Sequence, residues 1–277
     1  MLEALNEIDN LGYSLTHEWL DYIIQETSES VFVAMEKENL VGIATCMINE
    51  MDNTNATINI AVHPQYRNRG VGSQLHNKVI SYAKYKNIKA IEAYVKERLD
   101  SAGKFAEKRG FYPVLYAWQM DLVLGEKKFY ETKTKWNNTV LTFRKATLRD
   151  NHTYAHIINQ VFEDQLDHTV LGQLLKDPSV GVYMLEKEGK VIGSTTIQMR
   201  DKLSVGYIYD VAIMPQYRGQ GFGSYMLRKC LGVLQDRNLA IVTLTVTGQN
   251  KDALALYHRL GFREVDVDIV LGRVPLS

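Results

Sequence analysis

Ile213-Met214-Pro215-Gln216-Tyr217-Arg218-Gly219-Gln220-Gly221-Phe222-Gly223-Ser224 repeats an earlier stretch of the same chain, Val62-His63-Pro64-Gln65-Tyr66-Arg67-Asn68-Arg69-Gly70-Val71-Gly72-Ser73. The separation is 213 − 62 = 151 positions, and the same offset pairs Lys86-Asn87 with Arg237-Asn238, Gly110-Phe111 with Gly261-Phe262, and 31–42 with 182–193. Solenoid repeats recur every 20–50 residues or so; a period this long, kept over so much of the chain, is the duplication of a whole domain.

Outward from the glycines each copy reads alike. Upstream, 182–185 and 191–198 are β-prone runs around Glu188-Gly189-Lys190, a hairpin mirrored by 31–48. The run 207–214 is rich in β-branched and aromatic residues and stops at Pro215, as a strand should. Downstream, Met226, Leu227, Cys230, Leu231 and Leu234 recur at helical spacing, as do Leu75, Val79 and Ala83. A strand over 239–247 leads to Asn250 and a helix over 252–260, closed by Gly261 at the C-cap, and a last strand region follows. A strand at 141–145 opens the second copy, whereas its counterpart would fall before residue 1, so the first copy lacks it or borrows one. The polar, basic run 126–138 is the expected linker, which sets domains at 1–125 and 139–277.

Among 277 residues, 32 Lys and Arg balance 32 Asp and Glu, a formal net charge of +0 that offers no general attraction to nucleic acid or an anionic membrane. No apolar stretch reaches the roughly 20 residues of a membrane span, and the first residues lack the pattern of a secretory leader, so a cytoplasmic protein is expected. Two cysteines, Cys46 and Cys230, are too few for a disulfide framework or a structural zinc site and read as core thiols. His152 and His156 stand four apart on an expected helix, but no third ligand joins them in a recognised motif, and no metal is expected.

A strand, then Arg-x-x-Gly-x-Gly, then a helix is suited to holding phosphate: small residues let the backbone approach the anion, and the free N–H groups of the helix start point at it. A single such loop is more often a tight strand-to-helix turn; two copies sharing Pro-Gln-Tyr, the arginine and both glycines favour a ligand. The dinucleotide Gly-x-Gly-x-x-Gly fails at its third glycine, and the lysine of a P-loop is missing.

Together with Asn250-Lys251-Asp252-Ala253-Leu254-Ala255-Leu256-Tyr257-His258-Arg259-Leu260-Gly261-Phe262, these stretches resemble the GNAT superfamily of acyl-CoA-dependent N-acyltransferases, over nearly the full chain and twice. The resemblance implies an α/β fold of two tandem GNAT-like domains, each a mixed, mostly antiparallel twisted sheet flanked by helices. It implies acetyl-CoA as co-substrate, with no metal, and a small-molecule or peptide amine as acceptor. Coenzyme A would be held by Val211, Ala212, Ile213, Arg218, Gly219, Gln220, Gly221, Phe222, Gly223 and Ser224, with Asn250 and Ala253. In the first copy Ile60, Ala61, Val62, Arg67, Asn68, Arg69, Gly70, Val71, Gly72 and Ser73 take those places.

The copies part where the chemistry would be: Asn250 matches Leu99, and Tyr257 matches Ala106. The first copy should bind coenzyme A at most. Direct acyl transfer expels a thiolate, and a phenol of pKa near 10 is a reasonable proton donor to a thiol of pKa near 8.5, which makes Tyr257 the candidate acid. By family likeness the backbone N–H of Val211 meets the developing oxyanion. Asp210 is the candidate base, since Tyr207 and Thr245 stand where some members carry an acid. The segment Glu163-Asp164-Gln165-Leu166-Asp167 corresponds to the wall of the family's acceptor site and, with Asp210, would favour a cationic acceptor. The rival reading is a non-catalytic acyl-CoA-binding or interaction protein, against which the retention of Asn250 and Tyr257 speaks.

Overall fold

The computed structural model describes residues 1, 4, 5, 9, 28–49, 53–125, 129, 135–136, 139–162, 166–200 and 204–273. The chain divides into two compact units, Met1–Ala117 with Asp266–Ser277, and Trp118–Val265. The expected linker and Glu163-Asp164-Gln165 lie largely or wholly outside the described residues.

In unit 1 the strands β1 (Val31–Glu36), β2 (Asn39–Ile48) and β3 (Asn55–Val62) lead to helix α1 (Val71–Tyr85), β4 (Ala90–Lys96), α2 (Asp100–Glu107) and the start of β5 (Tyr112–Val123). Unit 2 takes the rest of β5, then β6 (Lys135–Trp136), β7 (Thr139–Lys145), α3 (Asn151–Phe162), α4 (Val170–Leu174), β8 (Val180–Lys187) and β9 (Lys190–Arg200). It continues through β10 (Val205–Ile213), α5 (Phe222–Asp236), β11 (Ile241–Thr247), α6 (Lys251–Leu260) and the start of β12 (Arg263–Arg273).

The compact units are therefore not the linear halves of the duplication. Residues 268–273 of β12 pair antiparallel with 91–96 of β4 and complete the order β1-β2-β3-β4-β12 in unit 1. The order in unit 2 is β5-β11-β10-β9-β8-β7-β6. Among the described pairings, β3 with β4 and β10 with β11 are parallel and the rest antiparallel, so each sheet is mixed and mostly antiparallel. Among the described residues β1 ends the order in unit 1, without a counterpart of β7.

Both hairpins turn where the sequence places them: Glu188 (φ 51) and Gly189 (φ 82) adopt the left-handed geometry that matches strand twist, as does Lys37 (φ 57). In unit 1, Leu75, Val79 and Ala83 of α1 pack on Ile58, Ile91 and the borrowed Leu271. In unit 2, Leu227, Leu231 and Leu234 of α5 pack on Val242, Leu244 and the borrowed Met120 and Leu122. Each buried leucine, isoleucine, valine or methionine among them contributes about 1.5–3 kcal/mol, and Ala83 less. Leu234 also lies where a Cβ at Gly206 would meet it at 2.8 Å, so β10 and α5 approach closely only through that glycine.

The start of α3 is fastened by charge. Asp150 accepts from the Thr147 backbone N–H (2.8 Å) and from both arms of Arg144 (2.8 and 2.9 Å), while Arg144 Nε donates to Glu186 (2.6 Å). These donors, Arg144 foremost, hold the Asp150 carboxyl down at about 2. No helix among the described residues is long and apolar enough to cross a membrane.

Candidate active site

Each glycine loop joins a strand end to a helix start by the same geometry. Arg67 Nε donates to the Val62 carbonyl (3.1 Å), and Arg218 Nε donates to that of Ile213 (3.0 Å). The arginines thus pin the loop to the strand that precedes it. Gly70 (φ 86) and Gly221 (φ 84) are left-handed N-caps, without side-chain caps, of α1 and α5. The first-turn amides have no intrahelical acceptors, which is the condition for receiving an anion. Asn68 (φ 60) and Gly219 (φ 73) are left-handed as well. Gly72 and Gly223 serve by smallness instead: a Cβ would sit 3.3 Å from Phe105 and 3.4 Å from Leu256, respectively.

Beside each loop the central strands part. Parallel pairing stops at Ile58↔Ala93 in unit 1 and at Ile208↔Leu244 in unit 2. In unit 1 a cavity of about 550 Å³ opens there, lined by Ile60, Ala61, Val62, Arg67, Asn68, Gly70, Gly72 and Ser73 among the expected residues. Arg69 is placed over the Tyr66 ring (5.3 Å), and Val71 packs in the unit 1 core. Residues that sequence reasoning missed also line the cavity. His76 is buried, edge-on to Phe105 and Phe111; Arg109 stacks on Phe105 (3.5 Å) and donates to Ser73 Oγ (2.7 Å), its pKa lowered by burial. Asp9 binds Arg67 through both carboxylate oxygens, one contact being 3.0 Å.

Unit 2 fills the matching positions differently. Tyr257 and Leu227 stand where unit 1 has Ala106 and His76, and both are packed in the core. Tyr257 is 6% exposed and edge-on to Phe262 (5.9 Å), and burial pushes its phenol up to about 12. Asn250 caps α6, its Oδ1 accepting from the Ala253 N–H (3.1 Å), which ties together two expected ligand-binding residues; Leu99 caps α2 without any side-chain bond.

The decisive difference lies in the strand before the loop. In unit 1, β2 and β3 pair without interruption from Ile48↔Ala56 to Gly42↔Val62. In unit 2, β10 pairs with β9 at Tyr209↔Thr196 and resumes only at Ala212↔Ser194, so Asp210 and Val211 together face Thr195. Asp210 takes up the bulge with φ 48, and Thr195 Oγ1 donates to the Tyr209 carbonyl (3.1 Å). A bulge takes backbone groups out of the regular ladder and re-aims side chains. Here it brings the Val211 amide and the exposed Asp210 carboxylate to the strand next to the loop that ends in Gly221 and Gly223. Asn59 matches Asp210 in unit 1 and donates to Thr45 Oγ1 (3.3 Å).

Both thiols are buried and raised, Cys46 to about 11 and Cys230 to about 12, which makes them poor nucleophiles. His152 and His156 lie on α3, and the His152 ring stacks on His168 (4.7 Å). Among the described residues no three His, Cys, Asp or Glu side chains gather as metal ligands.

The chain is similar to the mycothiol acetyltransferase of Arthrobacter sp. (strain FB24), with 25% identity over 272 residues, 94% of this chain and 82% of that protein. In fold it is similar to a GCN5-related N-acetyltransferase from Sphaerobacter thermophilus (TM-score 0.82, 18% identity, 98% of this chain and 89% of that one). It is also similar to a tandem GNAT protein from the clavulanic acid biosynthesis pathway (TM-score 0.77, 15% identity, 100% and 94%). The pattern described as "Acetyltransferase (GNAT) family" matches residues 2–111 and again 144–262, and with two phosphate-type loops on two mixed sheets the chain belongs to that family as an N-acetyltransferase with two domains in tandem.

Proposed function

We propose that unit 2 transfers the acetyl group of acetyl-CoA to a primary amine of a small molecule or peptide by direct attack within a ternary complex in the cytoplasm. The bulge at Asp210 and Val211, present in one repeat and absent from the other, carries this reading. The residues of the loop from Arg218 to Ser224 hold the pyrophosphate on the start of α5, and Ala212 and Ile213 offer strand edge to the pantetheine arm. The Val211 N–H stabilises negative charge on the acyl oxygen, an interaction that strengthens as the charge develops. Asp210 removes the proton of the incoming ammonium, directly or through water, and the amine nitrogen bonds to the acyl carbon as the carbon–sulfur bond breaks.

Tyr257 faces the departing sulfur. With its pKa at about 12 the phenol keeps its proton at neutral pH. A free thiol at about 8.5 would be a poor match. Donation from Tyr257 is therefore uphill toward a free thiolate and proceeds only in concert with the breaking carbon–sulfur bond. The similarity to mycothiol acetyltransferases supports an amine acceptor, while Tyr207, in a strand position where the family can carry an acid, separates this site from members that use one there.

A second, complementary reading applies to unit 1. Its cavity, its glycine loop and the amide Asn59 in place of Asp210 suit a site that holds coenzyme A without transferring from it. The test is coenzyme A release from acetyl-CoA across a panel of primary amines, beside calorimetric stoichiometry. Release with at least one amine, and two molecules bound per chain, agree with both readings. Binding with no release for any amine reduces the whole chain to a binding protein.

A further inference from the structure

Asp210 holds its left-handed backbone at the surface of unit 2, and a non-glycine residue stays there only where its surroundings fix it. One buried polar side chain reaches it from below. Tyr154 of α3 is 1% exposed, its hydroxyl lies 3.3 Å from Thr196 Oγ1, and Thr196 is the residue of β9 that faces Tyr209, the neighbour of Asp210. The same hydroxyl is within hydrogen-bonding reach of the Asp210 carboxylate. A carboxylate only accepts, so Tyr154 donates to Asp210, and its oxygen is left to accept from Thr196.

We propose that Tyr154 is a positioning residue for acetyl transfer: it aims the Asp210 carboxylate at the acceptor and sets the pH at which that carboxylate accepts a proton. The inference rests on the reading of Asp210 as the acceptor's base. The proton of the acceptor ammonium goes to a carboxylate oxygen of Asp210; the nitrogen lone pair thus freed forms the bond to the acyl carbon, and the carbon–sulfur pair leaves on sulfur. The Tyr154 proton stays in place throughout, because burial and the neighbouring Asp210 carboxylate raise that phenol to about 12. Among the described residues Tyr209, on the same strand, also lies within electrostatic reach of Asp210 and of Arg200 on β9, and its hydroxyl donates to Gln198 (3.1 Å). In unit 1 the amide of Asn59 takes the corresponding place and accepts no proton.

The experiment follows the Asp210 carboxyl directly, by carbon NMR titration of the full chain, with Asp210→Asn to assign the signal. Tyr154→Phe removes one donor to the carboxylate and should raise its midpoint by about one pH unit. Thr196→Val leaves that donor in place and should move the midpoint by less than half as much. An unmoved midpoint in a folded Tyr154→Phe protein overturns the inference, as does an equal shift in both variants. The base reading is read separately, from the acid limb of kcat/KM with acetyl-CoA and the fastest amine of the panel. Loss of that limb in Asp210→Asn supports the base. A limb unchanged in Asp210→Asn overturns the base and, with it, the catalytic role of Tyr154, even where the titration has moved.

Discussion

The two repeats hold nearly the same loop and differ in what surrounds it. Unit 1 has an unbroken strand, an amide at Asn59, a small Ala106 and an open cavity; unit 2 has a bulged strand, a carboxylate at Asp210, and Tyr257 packed against Phe262. Duplication preserved the loop, which depends on backbone and glycine. Asp210 and Tyr257, the two side chains proposed to move protons, are matched by Asn59 and Ala106 in unit 1. The comparison teaches that a loop built from main chain and glycines can be kept while the side chains beside it change.

The sharpest way to break the comparison is Tyr257→Phe. Turnover should fall about 100-fold or more, in keeping with the loss of a general acid, while acetyl-CoA affinity in calorimetry stays within about twofold. Turnover equal to wild type would remove the tyrosine from the contrast.

The Asp150 anchor lies in unit 2, where Arg144 also holds Glu186; the residue that matches Glu186 in unit 1 is Met35. The folded pKa of Asp150, about 2, lies below the unfolded value of 3.8, so its contribution is complete above 3.8 and fades as pH falls through 2. That difference amounts to about 2 kcal/mol. Chemical denaturation of Asp150→Asn should show a loss of this order at pH 7 that shrinks toward pH 2; a gap independent of pH would mean that the carboxylate charge is not what fastens α3.

A finer division uses the second glycine of each loop. Valine at Gly70 or Gly221 is strained by the left-handed backbone itself, whatever is bound, so Gly72 and Gly223 are the cleaner sites. Gly223→Val should weaken coenzyme A binding to unit 2 by roughly 10-fold, the size of one lost hydrogen bond, and lower turnover at limiting acetyl-CoA. Gly72→Val should lower the stoichiometry of binding and leave turnover alone; an equal loss of turnover from both would show that the repeats act together. The smallest effect expected is that of Asp9→Asn, which removes the carboxylate held on Arg67 and should tighten coenzyme A binding in unit 1 by about threefold.

The duplication, the hairpins, the glycine loops and the helices after them are legible because each depends on local periodicity and on residues that start or stop an element. The bulge is not: Tyr207 to Ile213 reads as one uninterrupted strand, and the slip at Asp210 emerges only against β9. Nor does the sequence display the cavity, which depends on Ala106 being small where its counterpart is Tyr257. Arg67 and Arg218 each send Nε back to a strand carbonyl, a local bond that motif reading does not reveal. Gly248 carries no visible signal either, yet a Cβ there would fall 2.0 Å from the ring of Trp118, a residue that arrives from the preceding repeat's sequence.

That exchange of strands sets an order of events during synthesis. Lys96 is buried and finds its carboxylates at Asp266 and Asp268, about 170 residues downstream, on the strand that completes the sheet of unit 1. As the chain leaves the ribosome, the N-terminal unit has its loop, its helices and four of its strands long before it has the fifth. Until then β4 has an open edge, and a lysine without its counter-ions faces the place where an apolar strand must dock. The first repeat made is therefore the last to complete its sheet.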